Sequence, residues 1–307
     1  MTGALTLRFS TQAQMDIRRM TRELSDLQRQ VASGSRANDL SGLGDGASRL
    51  LNAQSLRANA DARGSALGQL QARFGVQAGA LSQVAASTNN LSQSIREAVS
   101  SNDGRGVGVE LTIAFSGIVS GLNETWNGQP LFAGERTTGL PVRVNSLDEL
   151  VAASTPDQIY DEASRQQTID LGSGPPIALA SKASEMSPPL FEALRQLQIL
   201  VNDAGGELPA PLTGAQRTQL QALATQLDSA AATFTNAEGR AGQLEQRFTG
   251  EKTRLQDRSN LLLKEIGEQA DADLAMVSVR ISSLLVQYEA SAKTFSELSK
   301  LTLIDYL

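Results

Sequence analysis

The 307-residue sequence contains no histidine and no cysteine. Their absence excludes disulfides, thiolate and imidazole metal ligands, cysteine nucleophiles and histidine general bases. It also excludes a serine–histidine–aspartate triad. Only chemistry that carboxylates perform without histidine or cysteine, in catalysis or in calcium binding, remains open.

Aromatic residues and runs of basic residues are also scarce. Aromatics make up 4% of the chain, the net charge is −6, and the basic residues are interspersed with acids. Because nucleic-acid binding needs a basic stripe, we expect no nucleic-acid partner. The uncharged run 111–123 is too short for a membrane span, and the first ten residues lack the features of a Sec signal peptide. We therefore expect no membrane span, and any export to proceed without a signal peptide.

The most regular pattern in the chain is a heptad seam at each terminus. Residues 271–307 contain neither proline nor glycine, and their apolar residues recur at steps of three and four, as do those of a stretch near the N-terminus. We expect the two stretches to pack as helices along a terminal seam of Ala13, Ile17, Met20, Leu24, Leu27, Val31, Leu274, Val277, Ile281, Leu284, Tyr288, Phe295 and Leu298. From the residues alone, an ordinary bundle core in a monomer is slightly favoured over a self-assembly seam between subunits.

Further helical patterns lie between the termini. We predict helices over 10–32, 47–100 and 107–126, a shorter one from Pro188, and one of about 40 residues or more from Ala215. Residues 1–9 are predicted to be flexible or a strand. Four glycines interrupt the second pattern, which requires either a closely approaching helix or a bend there: Gly64, Gly68, Gly75 and Gly79.

The order of these elements predicts the fold class and the domains. Short β-prone runs alternate with glycine and proline breaks over 131–187. We expect a mainly α protein, a long antiparallel helical rod or coiled coil built from the N- and C-terminal regions, with a small β-rich insert at its tip. The predicted domains are 1–40 with 268–307, which we expect to be disordered in the monomer, 41–130 with 188–267, and 131–187.

Carboxylates offer the only candidate sites for chemistry. Asp39 and Asp45 lie in a glycine-rich bend but lack the full ligand set of a calcium loop. A wall-cutting hydrolase needs two acids across a cleft, and the insert offers Asp157, Asp161, Glu162 and Asp170. Nothing in the sequence fixes their geometry, so we expect no catalytic residues, no metal site and no cofactor, and we do not expect an enzyme.

Several short motifs make the chain similar to a known family. SGSR at 33–36 follows the first helix, GR at 239–240 lies in the third, DADLA spans 271–275, and LTLIDYL ends the sequence. NGQPLFAG spans 127–134, and its first two residues, Asn127 and Gly128, predict a turn. Together they resemble the flagellin superfamily and, within it, the hook–filament junction proteins. The more specific matches are Asn127, Gly128, Phe132, Ala133, Gly134, Asp305, Tyr306 and Leu307. A Pro–Asp–Asp–Pro segment usual in the family is missing after Arg36.

The resemblance implies a structural subunit of the bacterial flagellum. It implies a ring of copies of the chain between hook and filament, in contact with a neighbouring hook-associated protein and flagellin, and it makes the terminal seam a self-assembly seam between subunits. It further implies export by the flagellar type III apparatus to the cell exterior and a chaperone on the C-terminal region. The alternatives are a flagellin, the filament subunit itself, and a non-flagellar helical interaction module.

Overall fold

The structure is a computed structural model of the chain. It describes the backbone of residues 2–37, 43, 44, 46–170 and 176–304, and their side chains except at 2–10, 13 and 298–304. Asp39, Asp45, Asp305, Tyr306 and Leu307 lie outside the described residues, as do the side chains of Ala13 and Leu298.

Helices form most of the described chain. The nine helices of the described residues are α1 Thr2–Ser33, α2 Gly46–Ser101, α3 Val107–Leu122, α4 Leu147–Ala152, α5 Pro156–Ile159, α6 Ala183–Met186, α7 Pro188–Asp203, α8 Gly214–Ala270 and α9 Leu274–Ile304. Four of them, α1, α2, α8 and α9, are longer than 30 residues. The predicted fold class, mainly α with long helices, is confirmed. The prediction for residues 1–9 is wrong, because α1 continues through residues 2–9.

Strands are short and occur in two antiparallel pairs. Strands β1 (Thr125–Trp126) and β2 (Gln129–Pro130) form one, and β3 (Thr168–Ile169) and β4 (Ile177–Ala178) form the other. One further bridge joins Val142 to Tyr160. The predicted β-structure of 131–187 is therefore present but brief, and three short helices share the segment with it.

The described chain divides into two compact units. The first comprises Met1–Gly64 with Arg254–Leu307, and the second comprises Ser65–Thr253. The three-part division expected from the sequence stays a prediction.

In the second unit, the long helices α2 and α8 pack antiparallel. The rings of Phe74 and Phe248 lie 5.4 Å apart between centroids. Further along, Ser92 Oγ donates to Ala224 O at 3.1 Å, and Arg96 pairs with Asp228. The heptad apolar residues of both helices are buried here, as the 3.6-residue period requires.

Helix α3 packs against α2 at close range because it presents glycines. A Cβ at Gly117 would lie 2.5 Å from Ser87 Oγ, and a Cβ at Gly121 would lie 2.7 Å from Val84 Cγ2 and 3.0 Å from the Ala80 carbonyl. Neither position has room for a larger side chain. Leu111, Ile118 and Leu122 of α3 complete this core, where none of the three is exposed.

The first unit is built on α1 and α9, with the adjoining ends of α2 and α8. Ser259 Oγ on α8 donates to Asp61 Oδ1 on α2 at 2.6 Å. The break between α8 and α9 is fixed by backbone hydrogen bonds, since Arg36 N donates to Ala270 O at 2.7 Å and Ala272 N donates to Gly34 O at 2.8 Å. Asp273 then caps α9 through a hydrogen bond from Met276 N to its Oδ1 at 3.0 Å.

Candidate assembly surfaces

The Asn-Gly pair predicted as a turn closes the first hairpin. Asn127 and Gly128 have φ of 50° and 77°, and the strands that they join pair Trp126 with Gln129. Positive φ at both central residues identifies a type I′ turn, which suits the twist of a two-stranded ribbon and favours asparagine and glycine. Both residues are exposed, so this part of the motif is accessible to a partner.

The Phe132–Gly134 part of the motif is instead buried and structural. Phe132 and Ala133 are at most 1% exposed. The Phe132 carbonyl accepts a hydrogen bond from Ala183 N, and the Ala133 carbonyl accepts one from Ala163 N, both at 3.0 Å. The segment therefore holds two distant stretches of the chain together, and its side chains are not available to a partner.

Gly134 is required by both its conformation and its surroundings. Its φ is 66°, and a Cβ there would lie 2.3 Å from the Arg165 carbonyl oxygen. A backbone atom cannot move aside as the end of a side chain can. Any other residue would displace the hydrogen bond from Glu135 N to Arg165 O, which is 3.0 Å long.

Asn123 positions the insert in a way that the sequence analysis missed. Its amide donates to the Val142 carbonyl at 3.0 Å, and its Oδ1 accepts from Val142 N at 2.9 Å. This side chain replaces a strand partner for Val142. An asparagine directly after the last apolar residue of a helix was the available signal.

The predicted terminal seam lies largely within the α1–α9 pair of one chain. Met20, Val277 and Leu284 are buried, at 8%, 7% and 4% exposure. Five further seam residues are half-buried, namely Ile17, Leu24, Leu27, Ile281 and Phe295. The remaining described members of the seam are exposed, and these are Val31, Leu274 and Tyr288. That the seam mediates self-assembly stays a prediction.

A second apolar face runs along α9, and the sequence analysis did not separate it from the seam. Met276, Val279 and Val286 form this face and are 69%, 71% and 67% exposed, whereas Leu285, 43% exposed, flanks the seam. Between residues 274 and 292 the only charged residues are Arg280 and Glu289. The signal was available, since a helix that is apolar on more than one side needs more than one partner.

The exposed surface of α1 is by contrast charged. Arg18, Arg19, Arg22, Asp26 and Arg29 are all exposed. Glu23 of α1 accepts hydrogen bonds from Arg280 of α9 at 2.9 and 3.1 Å, so the main charge of this α9 stretch is directed towards α1. The helix pair therefore has a charged helix and an apolar helix, and its uncovered apolar area belongs to α9.

The carboxylates considered for hydrolysis are held by structural partners. Asp161 pairs with Arg136 and with Arg143, the latter at 2.9 Å. Glu162 accepts hydrogen bonds from the N–H and Oγ of Ser184 at 2.8 and 2.5 Å. Burial raises the pKa of Glu162, and these hydrogen bonds oppose the rise without cancelling it.

The other two carboxylates of that set, Asp157 and Asp170, are exposed. Nearby, burial also raises the pKa of Tyr160, whose hydroxyl lies 2.8 Å from Ser187 Oγ. These groups join neighbouring segments, and a role in catalysis has no support from their geometry.

An open groove of about 910 Å³ lies between α3, α4 and α7. Its walls combine apolar side chains, such as Phe115 and Val201, with the hydroxyls of Thr112, Ser116 and Ser120. Asp148 and Glu207 are the ionisable residues that line it. Across the described ranges, no cluster of three or more acidic, histidine or cysteine side chains is suited to a metal ion.

In the part of the chain that the structure describes, no helix is both long enough and apolar enough to cross a membrane.

A comparison with known protein families gives a match in the C-terminal region. The family model of the bacterial flagellin C-terminal helical region matches residues 224–307. The C-terminal region is flagellin-like. The match covers most of α8 and the whole described length of α9, so the exposed apolar face lies within the flagellin-like region. No curated protein sequence matches the chain.

Two solved structures share the fold. FlgL of Bacillus cereus superposes with a TM-score of 0.57 at 17% identity, over 70% of this chain and 99% of that protein. A flagellar hook-associated protein from Vibrio parahaemolyticus superposes with a TM-score of 0.58 at 16% identity, over 76% of this chain and all of that protein. The flagellin-like, FlgL-like resemblance drawn from the sequence motifs is thereby confirmed.

Proposed function

We propose that this chain is a structural subunit of the bacterial flagellum, located at the junction between hook and filament. The observation that carries the proposal is the combination of a flagellin-like C-terminal region with the fold of hook-associated proteins. The similarity spans essentially the whole of those two proteins, so it concerns the complete architecture rather than one helix pair.

The surface of α9 supports a role in assembly. Its exposed residues Met276, Val279 and Val286 lie on the side of the helix away from the seam, and only two charged residues occur between 274 and 292. In our proposal this face packs against other copies of the chain when they form a ring, while the charged surface of α1 remains in a polar environment. The seam of α1 and α9 holds the two helices of each subunit together.

The same face explains why the terminal helices need protection before assembly. An isolated subunit exposes apolar area that only the assembled structure covers, so we propose that α1 and α9 gain their full order on assembly. A chaperone covers the C-terminal region before the chain is exported by the flagellar type III route. Hydrogen exchange on the isolated subunit tests this: terminal amides as protected as those of α3 would contradict it.

A flagellin is the second candidate function, because the C-terminal match is to a flagellin region. The junction role is favoured because the two solved structures compared above are named as FlgL and as a hook-associated protein. The exposed Asn127–Gly128 turn and the buried Phe132–Gly134 segment belong to the motif that resembles junction proteins.

Deletion of the gene in the bacterium that encodes it separates these functions. We expect cells that retain hooks by electron microscopy, shed filaments or flagellin into the medium, and fail to swim. The intact gene supplied in trans should restore attached filaments. Hooks that carry normal filaments after deletion would contradict the junction role, and filaments absent both from the cells and from the medium would favour the flagellin.

A further inference from the structure

Six glycines lie in facing stretches of α2 and α8 within the second unit. We call residues 68–79 and 239–252 the glycine band. The contact between Phe74 and Phe248 shows that its two stretches face each other. Its glycines are Gly68, Gly75, Gly79, Gly239, Gly242 and Gly250.

None of these glycines is required by packing. A Cβ at Gly79, Gly239, Gly242 or Gly250 would meet no described atom within 4 Å. At Gly68 and Gly75 the nearest atoms would be the ends of two flexible side chains, Lys252 Nζ at 3.5 Å and Glu245 Oε1 at 3.7 Å. None has the positive φ that favours glycine. Close helix approach, one of the two explanations left open by the sequence, is therefore excluded at these positions.

The glycines of α3 show what a packing requirement looks like in this molecule. At Gly117 and Gly121 a Cβ would approach atoms of α2 to 2.5 and 2.7 Å. All of these glycines lie inside helices, where glycine destabilises the helix relative to alanine. In α3 close packing at the glycines offsets that loss, whereas no described atom packs against the band glycines closely enough to do so.

A second observation marks the same stretch as weakly held. Arg73 and Gln77 of α2 are buried, at 8% and 5% exposure. Arg73 Nη2 donates to Gln167 Oε1 at 2.7 Å. No described residue supplies a hydrogen-bond partner to Arg73 Nε or Gln77 Oε1, although both atoms are buried. Buried polar groups without partners favour any state in which water reaches them.

We propose that the glycine band is a soft segment, where the α2–α8 pair opens and bends while the flanking parts of the unit stay folded. Opening gives water access to Arg73 Nε and Gln77 Oε1. The glycines lower the free energy of opening, because glycine stabilises the closed helix less than alanine would. The use of this softness rests on the proposed function: a junction subunit has to fit between two different neighbouring assemblies, and a helix pair that bends locally adapts to both.

Hydrogen exchange on the full chain, read by mass spectrometry, tests the proposal directly. We expect amides of 68–79 and 239–252 to exchange at least about tenfold faster than those of 81–98 and 220–234 in the same two helices. Equal protection in the band and in these flanking stretches would overturn the proposal.

Alanine substitutions then test the cause. In the variant with Gly79→Ala, Gly239→Ala, Gly242→Ala and Gly250→Ala, exchange in the band should slow about tenfold or more, and Tm should rise by about 5 °C or more. The matched control is Gly121→Ala, the same substitution in a tightly packed helix, which should lower Tm. A fourfold variant that lowers Tm, or leaves exchange in the band unchanged, would overturn the proposal.

Complementation of the deletion strain, scored by attached filaments in electron microscopy and by swimming, tests whether the soft segment is needed for assembly. The stiffened fourfold variant should be made and exported but should restore fewer attached filaments than the natural chain. Full restoration would overturn the adaptive role. If deletion of the gene had no effect on filaments, the proposed function would fail, whereas the exchange result would still decide whether the band is soft.

Discussion

The α1–α9 pair and the α3–insert region differ in how completely they bury their apolar residues. In α3 and the Phe132–Gly134 segment, large apolar side chains such as Ile118, Leu122 and Phe132 are at most 1% exposed. In α9, Val279 and Val286 are about two-thirds exposed, at 71% and 67%. The first region buries its large apolar side chains within one chain. The second leaves apolar area uncovered, which indicates that its stability depends on a partner.

This difference separates residues that maintain the fold from residues that are free to serve assembly. Substitutions in the α3–insert region should change the free energy of unfolding of the isolated chain. Substitutions on the outer face of α9 should leave that free energy nearly unchanged and alter assembly instead.

The largest change in stability is expected from Phe132→Ala. Removing a fully buried phenylalanine ring should lower the free energy of unfolding by about 3–5 kcal/mol, because the cavity cannot collapse between backbone segments that are hydrogen-bonded to each other. Urea unfolding followed by circular dichroism measures the change. The matched control is Phe295→Ala in α9, where the ring is only half-buried, and the loss should be less than half as large. Equal losses at the two positions would contradict the comparison.

Gly134→Ala should have the next largest effect. The added Cβ meets the Arg165 carbonyl and the residue keeps a left-handed φ, so we expect a loss of about 2–3 kcal/mol. Gly239→Ala is a suitable control, since it places the same methyl group where no described atom lies within 4 Å. Gly134→Ala with no greater loss than Gly239→Ala would contradict the clash with the Arg165 carbonyl.

A smaller, pH-dependent effect is expected at Glu162. Its pKa is raised in the folded chain by burial, so folding favours the protonated form. The stabilising contribution of this protonation is present below the ordinary pKa of a glutamate and is lost as the pH rises through the raised pKa. The difference in stability between the natural chain and Glu162→Gln should therefore decrease as the pH rises from the ordinary pKa of a glutamate through the raised pKa, and stay constant outside that window. A difference that does not fall with rising pH would contradict the burial of Glu162 as the cause.

The smallest change in stability is expected from the pair Val279→Asp and Val286→Asp. Both side chains are exposed, so the free energy of unfolding should change by no more than about 0.5 kcal/mol. Assembly should nevertheless fail, since two carboxylates would be placed in an apolar interface. The pair Arg18→Asp and Arg22→Asp on the charged helix α1 is the control. Attached filaments with the α9 variant would remove α9 from the proposed interface.

Periodicity predicted the long helices because it depends on a local rule that the chain obeys over many residues. The predicted starts of α2, α7 and α8, at residues 47, 188 and 215, lie within one residue of the observed starts at Gly46, Pro188 and Gly214. The turn at Asn127–Gly128 was predicted for the same reason, since its conformation is set by two adjacent residues. Residues 2–9 were misjudged because they lack a cap and a clear pattern, yet they extend α1.

Contacts between distant residues were beyond the reach of sequence reasoning. The amide of Asn123 bound to Val142, and the Phe132 carbonyl bound to Ala183 N, join residues 19 and more positions apart without any sequence period. The motif at 127–134 was recognised as a unit, but its two halves differ in role, because one is an exposed turn and the other a buried link. Exposure of Val279 and Val286 also depends on which face of α9 meets α1, and a seam alone does not specify that.

The link between Phe132 and Ala183 has a consequence for how such chains diversify. Because the hydrogen bond from Ala183 N to Phe132 O closes the segment between them at its base, an exposed stretch within this segment can change in length without moving the helices. Loop-closure entropy grows only slowly with length, so inserted sequence there adds little free-energy penalty. The exposed residues 136–140 are then a natural position for added domains, epitope tags or displayed peptides. A chain of this kind can vary these exposed residues while the buried residues of the segment stay fixed.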